Sequence, residues 1–281
     1  MTSYALHVTT LEPPGAERHA APLLFVHGTG QGAWCWEEHF LPFFAAHGYR
    51  AAALDLRGHG ASEGRADLMR FRLADYVDDV AQVATDLHTQ AGHAPVLLGH
   101  SLGGAVVQHI VDDERIPLAA AVLLAPIPRG KGWQISSKAA LKAFGLRRLL
   151  RMTLTKQNAL MYETPAVMQR AFFAPDTPPA VAAAYWPRFQ PESWMQGDVG
   201  RFATTVPRQH PAIPMLVVAG AEDAVFPPQA QEITADYYQA DCRIVPGVGH
   251  EMMLDQHWES AAQVILEWLD APKADRERTM R

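Results

Sequence analysis

Short apolar runs that recur between longer stretches of helical periodicity restrict this chain more than any other feature. "PLLFVHG" (Pro22–Gly28), "YRAAALDL" (Tyr49–Leu56), "PVLLG" (Pro95–Gly99), "AAAVLLAP" (Ala119–Pro126), "PMLVVAG" (Pro214–Gly220) and "CRIVPG" (Cys242–Gly247) each read as a strand. Most are continuously apolar rather than alternating, so both faces of these strands must be buried. Between them lie helical patterns. Trp34–Gly48 carries a proline interruption and a terminal glycine. Leu73–Gly92 has Tyr76, Val77, Val80, Val83, Ala84 and Leu87 at helical spacing, and Ser101–Asp113 and Trp258–Asp270 follow the same logic. The alternation predicts an α/β fold with a mostly parallel sheet covered on both faces. "YALHVTTLE" (Tyr4–Glu12) alternates more and predicts an antiparallel edge. Ligands bind such sheets at the carboxyl ends of the strands, so functional residues are expected just past each run.

One region breaks the rhythm. Between Ile127 and Pro211 there is no clear buried strand, but there are several helical patterns, many prolines and most of the Met and aromatic surplus. This predicts a core of residues 1–126 and 212–270, a helical cap of residues 127–211, and a frayed tail at 271–281. A chain of 281 residues, 48% hydrophobic, is long enough for one large core and such an appendage. A net charge of −6 with no basic domain argues against nucleic-acid binding. Cys35 and Cys242 are too few for a disulfide framework. No signal peptide is visible and no apolar stretch reaches the roughly 18 residues of a membrane span, so the expected location is cytoplasmic, without a transmembrane segment.

Gly99-His100-Ser101-Leu102-Gly103 matches G-x-S-x-G, closing a strand and opening a helix. A turn this sharp demands small residues on either side and projects the serine outward. A serine hydroxyl needs a base to become a nucleophile, and the base needs an orienting acid. Of the thirteen histidines, His250 is placed best: it follows a strand and comes just after Gly247 and Gly249, which let a loop carry it back over the sheet. His100 sits too close to the turn, and His27 and His59 read as loop-fixing residues. For the acid, Asp223 lies just past the run Pro214–Gly220. Its neighbour Glu222 stays open as a substitute, whereas Asp198 falls in the cap and Asp236 and Asp241 lie near the next helix and strand.

The order Ser101…Asp223…His250 resembles that of the α/β-hydrolase fold superfamily, and the resemblance extends over roughly residues 4–270. It implies an eight-stranded, mostly parallel sheet flanked by helices, with a helical cap inserted after strand six. The N–H of Leu102, at a helix N-terminus, is a candidate oxyanion donor. The resemblance implies Thr29 as the second, in the loop "HGTGQGAWCW". That loop is similar to the H-G-x-x-H-G-x-W pattern of plant methylesterases and hydroxynitrile lyases, with Gln31-Gly32 at the second His-Gly. The lyases' threonine and lysine positions hold Gly28 and Glu251 here, which argues against cyanohydrin cleavage. A serine nucleophile argues against dehalogenase and epoxide hydrolase chemistry.

The expected activity is therefore hydrolysis of a small-molecule carboxylic ester through an acyl-enzyme. C–C bond, amide or perhydrolysis chemistry on the same residues, or a slow-turnover ligand receptor, are the alternatives. No cofactor and no metal are expected, since no metal-ligand cluster or H-E-x-x-H stands in the chain. The oligomeric state is open. Two features concern the substrate. Trp133, Met152, Met161, Tyr162, Met168, Phe172, Phe173, Trp186, Trp194 and Met195, with Met252 and Met253 beside His250, are candidates for an apolar pocket. From Arg129 to Lys156 there are eight Lys or Arg and no acid, which fits an anionic substrate, a membrane surface or simply a solvated face.

Overall fold

The computed structural model describes residues 4–15, 18–206 and 211–271. Most of the tail expected to fray lies outside them.

Seven strands form one sheet: β1 (Val8–Leu11), β2 (Leu23–Val26), β3 (Ala51–Leu54), β4 (Val96–His100), β5 (Ala120–Leu124), β6 (Met215–Gly220) and β7 (Asp241–Val245), in the order β1-β3-β2-β4-β5-β6-β7. Only β1 runs antiparallel, pairing Val8 with Leu54 and Leu11 with Ala51. β2 to β6 are buried along their whole length, as continuous apolar runs require.

The sheet has seven strands, not the eight implied by the resemblance. β1 is its edge, and among the described residues no strand pairs with its outer side. Just before it the pairing on the β3 side continues: the carbonyls of His7 and Ala5 accept from Asp55 N and Glu63 N, both at 2.9 Å.

Alternate residues of each strand feed two cores. Leu23 and Phe25 join Trp36, Phe40, Phe44 and Ile265 on one face. Leu24 and Val26 join Tyr76, Val80, Val106 and Ile110 on the other. The first face is covered by α1 (Trp34–Glu37) and α2 (Phe40–Ala46), the second by α3 (Leu73–Ala91) and α4 (Leu102–Asp112). The break between α1 and α2 falls at Glu38–His39 rather than at Pro42. Pro42 sits in the first turn of α2, where a missing N–H costs no helical bond.

Between β5 and β6 lie α5 (Lys131–Phe144), α6 (Leu146–Thr155), α7 (Pro165–Phe172), α8 (Pro179–Tyr185) and α9 (Gln196–Thr204). By observed strand number this segment follows the fifth strand, not the sixth. Two core helices complete the chain, α10 (Pro228–Tyr238) on the second face and α11 (Trp258–Asp270) on the first. No helix among the described residues is long and apolar enough to cross a membrane.

Candidate active site

The loops after β2, β4, β6 and β7 leave the carboxyl edge of the sheet, and they carry Thr29, Ser101, Asp223 and His250 respectively. Ser101 occupies the turn from β4 to α4 with φ 51° and ψ −110°. A non-glycine residue held there costs about 1–3 kcal/mol, so its surroundings must enforce it. They do so by close packing on both sides. A Cβ on Gly99 would lie 2.5 Å from the Gly103 carbonyl, and one on Gly103 would strike the Val26 carbonyl. Ser101 N–H donates to Leu124 O at 3.0 Å, tying the turn to β5.

His250 is buried, and its Nδ1–H donates to Asp223 Oδ2 at 2.8 Å. The other Asp223 oxygen accepts from Val225 N at 2.8 Å and Phe226 N at 2.7 Å, which fixes the carboxylate's orientation. Glu222 is exposed, and the acid hydrogen-bonded to His250 is Asp223. Burial opposes a charged imidazole, but the Asp223 charge and hydrogen bond, with a smaller contribution from Glu251, carry His250 above its ordinary value.

Ser101, Leu102, Thr29 and His250 line one cavity of about 280 Å³. Leu102 is the first residue of α4, so its N–H has no partner within the helix. Thr29 N–H has no acceptor among the described residues. The far walls are apolar and come mostly from the helical segment: Trp133, Phe144, Leu149, Met152, Met161, Phe172, Phe189 and Met195. Of the Met and aromatic residues singled out from sequence, Trp133, Met152, Met161, Tyr162, Phe172 and Met195 line the cavity. Met252 and Met253 do not; both are fully buried in the core on the first face of the sheet. Adjacency to His250 misled there, because the turn after it sends consecutive side chains in different directions.

His27 is neutral and structural. Burial lowers its pKa to about 4, Nδ1–H donates to Gly28 O at 2.8 Å, and Nε2 accepts from Leu56 N at 3.1 Å. His100, also held neutral by burial, donates through Nε2–H to the His250 carbonyl at 3.0 Å. Three further buried carboxyl groups complete the site, of which sequence reasoning placed only Glu251 there, at the position of the lyases' lysine. Asp255 accepts from Gly249 N and Ala174 N, both at 2.9 Å, and so anchors the loop that carries His250. Glu192 accepts from Gly30 N at 3.2 Å and Tyr76 Oη–H at 2.8 Å, and pairs with His59 at 3.1 Å. Burial opposes its charge, yet the His59 cation beside it holds Glu192 below its usual value. Gln190 N–H meets Gly30 O at 2.8 Å, so both backbone groups of Gly30, next to Thr29, are fixed by the helical segment.

Glu251 is the third. It accepts from Gln31 Nε2 and lies against the cavity. Burial raises its pKa from 4.5 to about 7. Below pH 4.5 the folded and unfolded states both hold this proton; as pH rises through 7, keeping a buried carboxylate costs the folded state up to about 3 kcal/mol. Glu251→Gln keeps an acceptor for Gln31 and removes that cost. The expected result is a variant more stable than the wild type at pH 8 and indistinguishable from it near pH 4, checked by urea denaturation at both.

The model of one known family, described as the alpha/beta hydrolase family, matches residues 23–264. The chain belongs to the alpha/beta hydrolase family. Among relatives of the chain, a probable esterase PIR7A from Oryza sativa is 44% identical over 106 residues, covering 36% of this chain and 37% of the relative. Methyl jasmonate esterase 1 from Vitis vinifera is 34% identical over 123 residues, covering 43% and 44%. The chain thus spans less than half the length of the curated relatives it matches. Among solved structures, the monoacylglycerol lipase of Paleococcus ferrophilus superposes on 94% of this chain and 98% of its own, with a TM-score of 0.68 at 20% identity, a likeness of fold.

Proposed function

We propose that this chain is a serine hydrolase that cleaves small to medium apolar carboxylic esters. The observation that carries the reading is the His250–Asp223 hydrogen bond at the rim of an apolar cavity that Ser101, Thr29 and Leu102 share. The named esterases among its relatives support it.

In this reading His250 takes the proton of Ser101 Oγ through Nε2 while Oγ attacks the ester carbonyl. Asp223 holds the imidazole in the tautomer that leaves Nε2 free and stabilises the cation that forms. The N–H groups of Thr29 and Leu102 receive the oxyanion. The protonated His250 then donates to the departing alcohol oxygen, leaving the acyl group on Ser101. Water, deprotonated by His250, attacks the acyl carbon and releases the acid. Asp255 and Glu192 act through others, the first by placing His250, the second by placing the Thr29 loop.

The segment 127–211 serves as a cap whose inner side chains set the length of acyl chain accepted. Phe144→Ala and Met152→Ala should therefore raise the kcat/KM ratio of p-nitrophenyl octanoate to acetate. About fourfold per methylene newly accommodated is expected. An unchanged chain-length profile in both variants would place the acyl pocket elsewhere.

The ester reading itself is tested by p-nitrophenyl acetate turnover. A burst of one equivalent followed by steady release is expected; a burst with no further turnover would make the protein a receptor that is acylated once. The acid limb of kcat/KM should follow the loss of the His250 proton, and in Glu251→Gln it should move to lower pH, because one negative charge near the imidazolium is gone.

A further inference from the structure

We propose that the outer face of α6, together with the end of α5, docks on an anionic lipid bilayer. Leu146, Leu150 and Leu154 recur at every fourth residue of α6 and so form one stripe. They are 61%, 53% and 83% exposed, and Leu141 near the end of α5 is 46% exposed. Single exposed leucines are ordinary, but a stripe of three beside a fourth is a patch. The opposite side of α6 is committed: Leu149 and Met152 face inward and line the cavity. The stripe thus has no partner within the described chain.

The charge around it selects the partner. Lys131, Lys138, Lys142, Arg147 and Lys156 are exposed and form no ion pair among the described residues. Arg148 and Arg151 share Glu163, and Arg129 is buried on Asp112. In a chain of net charge −6, this is a concentrated positive face around aliphatic side chains. A second copy of this chain would bring the same basic face against itself in a two-fold contact, which is repulsive. An anionic bilayer satisfies both features. Leucines enter the boundary between headgroups and acyl chains, while the cations stay among the headgroups. Docked this way, the helix that walls the cavity lies against the membrane.

The test is independent of the ester reading. The full chain is mixed with phosphatidylcholine vesicles, with or without phosphatidylserine, and the bound fraction is measured by flotation. Binding to the phosphatidylserine vesicles only is expected. It should weaken about fivefold for each of Lys138→Gln and Lys142→Gln, and by about tenfold or more in L146Q/L150Q/L154Q. Raised salt should weaken it as well. Unchanged circular dichroism and thermal unfolding of the variants keep a folding defect from imitating the result. No binding by the wild type, equal binding to both kinds of vesicle, or undiminished binding by the triple leucine variant would each overturn the proposal. So would a dimer or a protein complex held by these leucines without vesicle binding.

Discussion

Ser101→Ala should lower kcat for p-nitrophenyl acetate by about 10⁴-fold or more, without unfolding the protein. The hydroxyl lines the cavity and packs no core, so its removal costs chemistry and little stability. Alanine even relieves nothing essential: the turn is enforced by Gly99, Gly103 and the Ser101 N–H bond to β5, all of which remain. Residual hydrolysis in the variant would come from the Thr29 and Leu102 donors and from binding alone. A folded Ser101→Ala protein with near-normal turnover would rule out the acyl-enzyme. Circular dichroism and the urea midpoint supply the control for folding.

Asp223→Asn should cost nearly as much, about 10⁴-fold in kcat. Its shape is almost that of aspartate, and its Oδ1 still accepts from Val225 and Phe226. What changes is the group facing His250. If the amide nitrogen takes that place, it offers a donor to Nδ1 and drives the proton to Nε2, where it blocks the approach of Ser101. The loss should appear in kcat with KM little changed, because the carboxylate lies behind the imidazole and not in the cavity wall. Glu222→Gln, by contrast, alters an exposed side chain and should be near neutral. If Glu222→Gln proves the damaging change, the assignment of the acid is wrong by one residue.

The residues expected at the site from sequence were those whose position is set by local rules. A strand that ends in a tight turn must place the next residue at the sheet's carboxyl edge, so Ser101, Asp223 and His250 could be read from their distance past an apolar run. The two glycines around Ser101 announced a close approach that the structure contains at Val26 and Gly103. What stayed hidden was contact between distant parts of the chain. Glu192 meets Gly30 across 162 positions, and Gln31 meets Glu251 across 220. No periodicity or motif connects such pairs, and a lone glutamate in "FQPESWM" reads as an ordinary surface residue. Only burial distinguishes it, and burial is a property of the fold. The eighth strand was implied by the family resemblance alone, and whether a further segment pairs at the sheet's edge is a property of the fold.

Mass spectrometry of the protein after reaction with a fluorophosphonate bears on the covalent mechanism without needing the natural substrate. Such a probe phosphonylates a serine only when a base activates it and an oxyanion site receives the phosphoryl oxygen. One adduct per chain is expected, on the peptide that contains Ser101, with parallel loss of esterase activity and no labelling of Ser101→Ala. Ester hydrolysis that persists with Ser101 unlabelled, or an adduct on a different serine, would contradict the assignment of Ser101 as nucleophile.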